Sequence, residues 1–284
     1  MVRKLLRSLE HLAIAVRDGL LRLAVALING AVPRGGYRLL ADQPYGPEPR
    51  QRMDIFVPHG LAGPAPVLLF FYGGSWQSGS KSFYRAFGQA FAAQGIVTAV
   101  ADYRLYPEIR YPAFLEDGAL AVRSLRARAS ALGGDPARLF VSGHSAGAYI
   151  AAMLGVNASY LKAVGLSPDA LRGVIGLAGP YDFLPLADPV LIDIFGGGRV
   201  MATQPIKHVT GGAPAMLLAH GTADKTVGAG NSRRMAKRLA EAGNRVDLIE
   251  YKGIGHLGIV LSLARGLRRR TTLYRDMLAF IAGA

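Results

Sequence analysis

From Tyr37 to Tyr251 the chain alternates short apolar runs with longer helical patterns, separated by Gly, Pro or Asp, and that rhythm leaves few architectures open. The predicted strands are Tyr37 to Leu40, Met53 to Val57, Val67 to Tyr72, Ile96 to Ala101, Leu139 to Ser142, Val174 to Ala178, Met216 to Ala219 and Val246 to Tyr251. Helical patterns lie at Phe83 to Gln94, Pro112 to Leu132, Ala146 to Val156, Asn231 to Ala242 and Ile259 to Ile281. Pro112 suits a first helical turn and Gly243 a C-terminal stop. Several strands are continuous in Val, Leu, Ile and Phe, as strands buried on both faces must be, and such strands belong to a parallel sheet whose crossovers are helices. The expectation is an α/β protein with a mainly parallel, eight-stranded sheet flanked by helices.

Two segments break the rhythm. Residues 180–209, rich in Phe, Leu, Ile, Pro and Gly, are too long for a tight connection and read as a small cap-like insertion over the sheet edge. In residues 1–30, Leu5, Leu9, Leu12, Val16, Leu20, Leu23 and Leu27 recur every three or four positions, with Lys4, Arg7, His11, Asp18 and Arg22 opposite them. That is an amphipathic helix. Its charges interrupt both a signal-peptide core and a membrane span, so a retained helix and a cytoplasmic protein are expected. Packing on the domain, capping the site or lying on a membrane would each use the same stripe. Residues 31–284 are expected to form a single domain.

The chain has no cysteine, which removes disulfides, thiolate metal sites and a cysteine nucleophile together. Its net charge is +14, yet the basic residues are dispersed and come with no zinc-finger, RNP or basic-zipper pattern. Specific nucleic-acid binding is therefore not expected. Solvated outer faces are the expectation for these charges, with weak attraction to anionic membrane as the remaining reading.

The chemistry centres on Gly143-His144-Ser145-Ala146-Gly147, which follows a strand and opens a helix. A sharp strand-to-helix turn lifts the serine out at the carboxyl edge of the sheet, and glycines on either side let the crossing chains pass. A serine hydroxyl is a weak nucleophile and needs a base, itself oriented by a third group. Asp224 follows the strand Met216 to Ala219, and His256 follows the next strand in Gly253-Ile254-Gly255-His256. Both then lie in loops at the same edge. Asp182, after another strand, is the rival acid; His144 and His220 are expected in supporting roles.

A second Gly-rich turn, Tyr72-Gly73-Gly74-Ser75-Trp76, follows an earlier strand. Its N–H groups at Gly74 and Ser75, with that of Ala146, are the candidate oxyanion donors, and each such donor is worth roughly 3 kcal/mol in a transition state. Trp76, His144, Tyr181 and Phe183 are the candidate pocket residues.

These motifs, with Asp102-Tyr103-Arg104-Leu105-Tyr106-Pro107-Glu108, occur in the order seen in α/β-hydrolase carboxylesterases. From about Met53 to Ala282 the chain resembles the branch of hormone-sensitive-lipase-like and kynurenine-formamidase-like enzymes. The resemblance implies the α/β-hydrolase fold and hydrolysis of a small-molecule carboxylic ester by Ser145, Asp224 and His256, with no metal or organic cofactor. The chain departs from those families at Tyr72, where they carry His, and at Ser75. The Asp102 segment is implied to be scaffold. An arylformamidase or other amidase would use the same three residues, and a serine peptidase or a non-catalytic binding protein on the same scaffold stays open. The apolar residues of the insertion favour short to medium acyl chains.

Overall fold

The computed structural model describes residues 29–30 and 32–284, so the helix expected over residues 1–30 lies, but for its last two positions, outside the described residues. Eight strands form one sheet in the order β1-β2-β4-β3-β5-β6-β7-β8. They are β1 (Tyr37–Pro44), β2 (Arg52–Pro58), β3 (Ala65–Phe71), β4 (Val97–Ala101), β5 (Gly134–His144), β6 (Gly173–Leu177), β7 (Ala215–Gly221) and β8 (Val246–Tyr251). β2 runs antiparallel to both β1 and β4, and every other pairing is parallel. Every residue of β4 and β6 is buried, and all but one in each of β3 and β7, because helices cover both faces. The edge strand β8 instead mixes exposed Asp247, Leu248 and Glu250 with a buried Tyr251.

The helices are α1 (Arg85–Ala92), α2 (Ala113–Arg128), α3 (Ala146–Val156), α4 (Ala158–Ala163), α5 (Pro189–Phe195), α6 (Gly230–Glu241), α7 (His256–Leu261) and α8 (Leu273–Gly283). In α3 every residue except Gly155 is buried. Its small Ala and Gly side chains let it press against β5, β6 and α2 at the centre of the molecule. Arg233, Arg234, Lys237 and Arg238 form the exposed face of α6, opposite buried Met235, Ala236 and Leu239.

Strand order places the site. The chain leaves β3 for β4 on one side and returns to β5 on the other, so the loops after β3 and β5 diverge and open a crevice at their carboxyl ends. Phe71 pairs with Gly143 in register, which sets Tyr72 to Gly74 beside His144 and Ser145. Gly221 pairs with Tyr251, so the loops bearing Asp224 and His256 leave adjacent strands at that same edge.

Three elements differ from expectation. The helix predicted from Ile259 to Ile281 is broken into α7, a 3-10 turn at Arg265–Arg270 and α8. Ser262 Oγ donates to the Ile259 carbonyl and Thr271 Oγ1 bonds Ser262, so hydroxyls take up backbone bonding that a continuous helix would need. The strand predicted over Val67 to Tyr72 ends at Phe71, where Tyr72 turns into the Gly-rich loop. Helix α4 was not predicted; Asn157 caps it, accepting from the Ser159 N–H at 3.1 Å. The segment 180–209 contains α5 and two 3-10 turns, Met201–Thr203 and Pro205–His208.

Candidate active site

Ser145 stands between β5 and α3 with φ 55° and ψ −120°, a conformation costing on the order of 1–3 kcal/mol for a side-chain-bearing residue. The surroundings hold it there. Its N–H donates to Leu177 O at 2.9 Å, and its carbonyl accepts from Tyr149 N at 3.1 Å. A Cβ on Gly143 would collide with the backbone of Gly147, and one on Gly147 with the Phe71 carbonyl. Only two glycines allow β3, β5 and α3 to approach so closely.

The loop after β3 turns through three successive residues of positive φ, Gly74 (137°), Ser75 (52°) and Trp76 (60°). Gln77 N and Ser78 N close it by donating to Gly74 O at 2.9 and 3.1 Å. Among the described residues, the N–H groups of Gly74, Ser75 and Ala146 have no protein acceptor, so they are available to an oxyanion. Tyr72 anchors the loop. Its hydroxyl donates to Asp102 Oδ1 at 2.9 Å and accepts from Arg50 at 2.7 Å, while its carbonyl accepts from Tyr103 Oη. Asp102 also accepts from Lys81 N, which makes its segment scaffold for this loop.

On the other side of the crevice, His256 Nδ1 donates to Asp224 Oδ2 at 2.7 Å, which leaves Nε2 free to act as a base. Asp224 Oδ1 accepts from the N–H groups of Thr226 and Val227, both at 2.9 Å. Burial works to raise the Asp224 pKa, but hydrogen bonds from His220, His256 and Val227 outweigh it and hold the carboxyl well below its usual range. His220 is fully buried, with Nδ1 2.7 Å from Ser232 Oγ and Nε2 donating to Val227 O at 2.8 Å. That same Nε2 lies 3.3 Å from Asp224 Oδ2. Ser232 and Val227 were not singled out in the sequence. Their link to His220 runs through a loop and a helix start and has no periodic signature.

The structure therefore brings Ser145, His144 and the Gly74 loop to one side of the crevice and the Asp224–His256 pair to the other. Asp182, the rival acid, is drawn away: its carboxylate pairs with Arg234 on α6. Trp76 is buried, edge-on to Tyr149 at 5.2 Å and to Phe195 at 4.8 Å, and stacked on Phe183 at 6.3 Å. Two further candidate pocket residues are, like Trp76, buried. Tyr181 is completely buried with its hydroxyl packed on Gly176 and Gly179, because Asn231 Oδ1 draws the N–H groups of Tyr181 and Asp182 down. The His144 ring is buried against the His256 backbone.

Comparison with known proteins gives this geometry a context. The BD-FAE family model matches residues 53–239, well over half of the chain. The chain belongs to the BD-FAE family. That match takes in Ser145 and Asp224, and a prolyl oligopeptidase family match over residues 196–284 takes in Asp224 and His256. A probable isoprenylcysteine alpha-carbonyl methylesterase of Arabidopsis thaliana is 29% identical over 76% of this chain and 50% of its own length. Esterase LipC of Mycobacterium tuberculosis is 31% identical over 75% of this chain and 58% of its own. The chain thus spans only about half to two thirds of the curated relatives it matches. The apo structure of Thermogutta terrifontis esterase 2 superposes with a TM-score of 0.71 and 26% identity, covering 88% of this BD-FAE chain and 96% of that one. The fold is that of the α/β hydrolases. Among the described residues, no helix is long and apolar enough to cross a membrane.

Proposed function

We propose that the protein is a carboxylesterase acting through an acyl-serine intermediate, with Ser145 as nucleophile, His256 as general base and Asp224 as its orienting acid. The observation that carries this reading is the 2.7 Å bond from His256 Nδ1 to the buried Asp224 carboxylate in a crevice shared with a strained Ser145. The esterase names of the relatives support it.

In the proposed cycle, Ser145 Oγ attacks the ester carbonyl as its proton passes to His256 Nε2. Asp224 stays ionised and stabilises the imidazolium. The tetrahedral oxyanion accepts from the N–H groups of Gly74 and Ala146, with Ser75 adjacent, and no reorganisation is needed because the strained turn already holds them. His256 returns the proton to the departing alkoxide, leaving an acyl-serine. A water molecule, deprotonated by the same imidazole, attacks the acyl carbonyl; Ser145 recovers a proton from His256 and the carboxylic acid leaves.

Among the described residues, Ser145 Oγ and His256 share no hydrogen bond, and such bonds commonly tighten only when substrate is present. Trp76 of the Gly74 loop and Tyr149, one turn along α3 from Ser145, pack with Phe114, Phe183 and Phe195, and this filled aromatic group supports a reading of short to medium acyl chains. The prolyl oligopeptidase family match gives a second reading, cleavage of an amide or formamide by the same three residues.

The test is hydrolysis of p-nitrophenyl acetate, butyrate and octanoate beside N-formylaniline. Turnover highest on acetate or butyrate supports the reading. Turnover of the formamide alone would transfer it to the amidase class, and turnover highest on a long-chain triglyceride such as triolein, assayed alongside, would contradict the expected acyl length.

A further inference from the structure

Between the two sides of the crevice lies one buried side chain that the proposed cycle does not use. His144, the residue before the nucleophile, is 2% exposed. Its Nε2 sits 2.9 Å from the backbone carbonyl of His256, and the two imidazole centroids are 4.7 Å apart. On its other side the ring packs close to Gly73, where an added Cβ would come within 3.0 Å of Nδ1.

The segment bearing His256 needs such a support. It runs through Gly253 and Gly255, and α7 begins at His256 with no side-chain cap. Other bonds hold the loop below it: Gly253 N donates to Thr222 Oγ1 at 3.0 Å, and Ala223 N to Ile254 O at 3.0 Å. Both belong to the β7–β8 side, so neither registers the base against the nucleophile.

We propose that His144 is a positioning residue for His256: by donating its Nε2–H to the His256 carbonyl, it fixes the base relative to the adjacent Ser145. This rests on the esterase reading above. A carbonyl only accepts, so the bond requires the Nε2–H tautomer. Burial, reinforced by the neighbouring His256, pushes the His144 pKa down to about 3, so the ring stays a neutral donor throughout the working range. A misplacement of about 1 Å at a reacting group can cost roughly 100-fold in rate, which is the scale of effect such a tether controls.

The test replaces the donor and then restores it. His144→Phe keeps a flat ring without the N–H, and His144→Gln places an amide N–H near the Nε2 position. Two quantities are read: steady-state kinetics on p-nitrophenyl butyrate, and the low-field proton resonance of His256 Nδ1–H in its bond to Asp224. The Phe variant is expected to lose roughly 10- to 100-fold in kcat with KM within about twofold, and to shift or broaden the resonance. The Gln variant is expected to regain most of both. Should the Phe variant not fold, His144→Asn, a donor too short to reach, carries the same expectation. A folded Phe or Asn variant with wild-type kcat and an unmoved resonance overturns the proposal, as does a folded Gln variant no better than Phe. Absence of turnover in the wild type would sink the esterase reading alone, because the resonance still reports whether His144 holds His256.

Discussion

The two sides of the crevice are held by different physics. On the β3–β5 side, Ser145 and the Gly74 loop are fixed by main-chain geometry: positive φ at Ser145, Gly74, Ser75 and Trp76, and a crossing at Gly143 and Gly147 with no room for a Cβ. On the β7–β8 side, Asp224 and His256 are fixed by hydrogen bonds that involve side chains, through Thr226, Val227, His220 and each other. The first side should break when a methyl group is added, and the second when a donor or acceptor is removed. Strain stored in backbone requires a rigid frame, and β3 and β5 supply it at the middle of the sheet. The β7–β8 loops lie nearer the sheet edge and rely on a local network instead.

The largest effect is expected from Gly147→Ala. Its Cβ would meet the Phe71 carbonyl, and backbone cannot yield as a flexible side chain can. A loss above about 4 kcal/mol and no measurable hydrolysis are expected, read by thermal denaturation and ester turnover. A variant with native stability would show that the elbow is looser than the packing implies.

Asp224→Asn should leave the fold intact while lowering kcat by about 10⁴-fold, because the amide no longer selects the His256 tautomer that accepts the serine proton. Circular dichroism and kinetics on p-nitrophenyl butyrate check it. A drop of tenfold or less would mean that the β7–β8 network does not orient the base.

Acid separates the two sides by which group loses its stabilising shift first. The folded His144 resists protonation to about pH 3, whereas the unfolded chain takes up that proton near its ordinary pKa of about 6.5. Stability from this group is therefore present above about pH 6.5 and is lost toward pH 3, at up to about 1.4 kcal/mol per pH unit. The Asp224 pKa is depressed in the folded state, so its contribution is retained until the pH falls below the ordinary carboxylate pKa of about 3.9. Urea titrations at pH 7, 6, 5 and 4.5 should show stability falling across this range, and His144→Gln should flatten the slope. An unchanged slope would remove His144 from the account of acid sensitivity.

The smallest effect is expected at the rival acid. The Asp182–Arg234 pair is partly exposed, so Asp182→Asn should cost no more than about 1 kcal/mol and leave kcat within about twofold. A loss of activity comparable to that of Asp224→Asn would reassign the acid.

The difference between the two sides also governs what was legible in the sequence. All eight strands could be read because unbroken runs such as Val67 to Phe71 have few alternatives to burial in a parallel sheet, and the Gly-x-Ser-x-Gly turn is a local solution to a local crossing. The strand order could not be read, and with it the Phe71–Gly143 register that sets the expected Gly74 loop beside Ser145. His220 was expected in a supporting role, but its partner Ser232 could not be read, since the two meet only after the chain folds back. Tyr181 looked like a pocket wall because an aromatic after a strand end suits one, yet Asn231, distant in sequence, pulls its backbone inward. The last helix was misread because Leu and Ile continue their spacing through Ser262 and Thr271, whose hydroxyls interrupt it.

The central claim is that Ser145 is a nucleophile activated by His256. Its most direct test is intact-protein mass spectrometry after exposure to a fluorophosphonate, with peptide mapping of the labelled residue. One phosphonyl adduct on Ser145, formed in the wild type, strongly slowed in His256→Ala and absent in Ser145→Ala, is the predicted result. Labelling that persists in Ser145→Ala, or a wild type that takes no label, would contradict it.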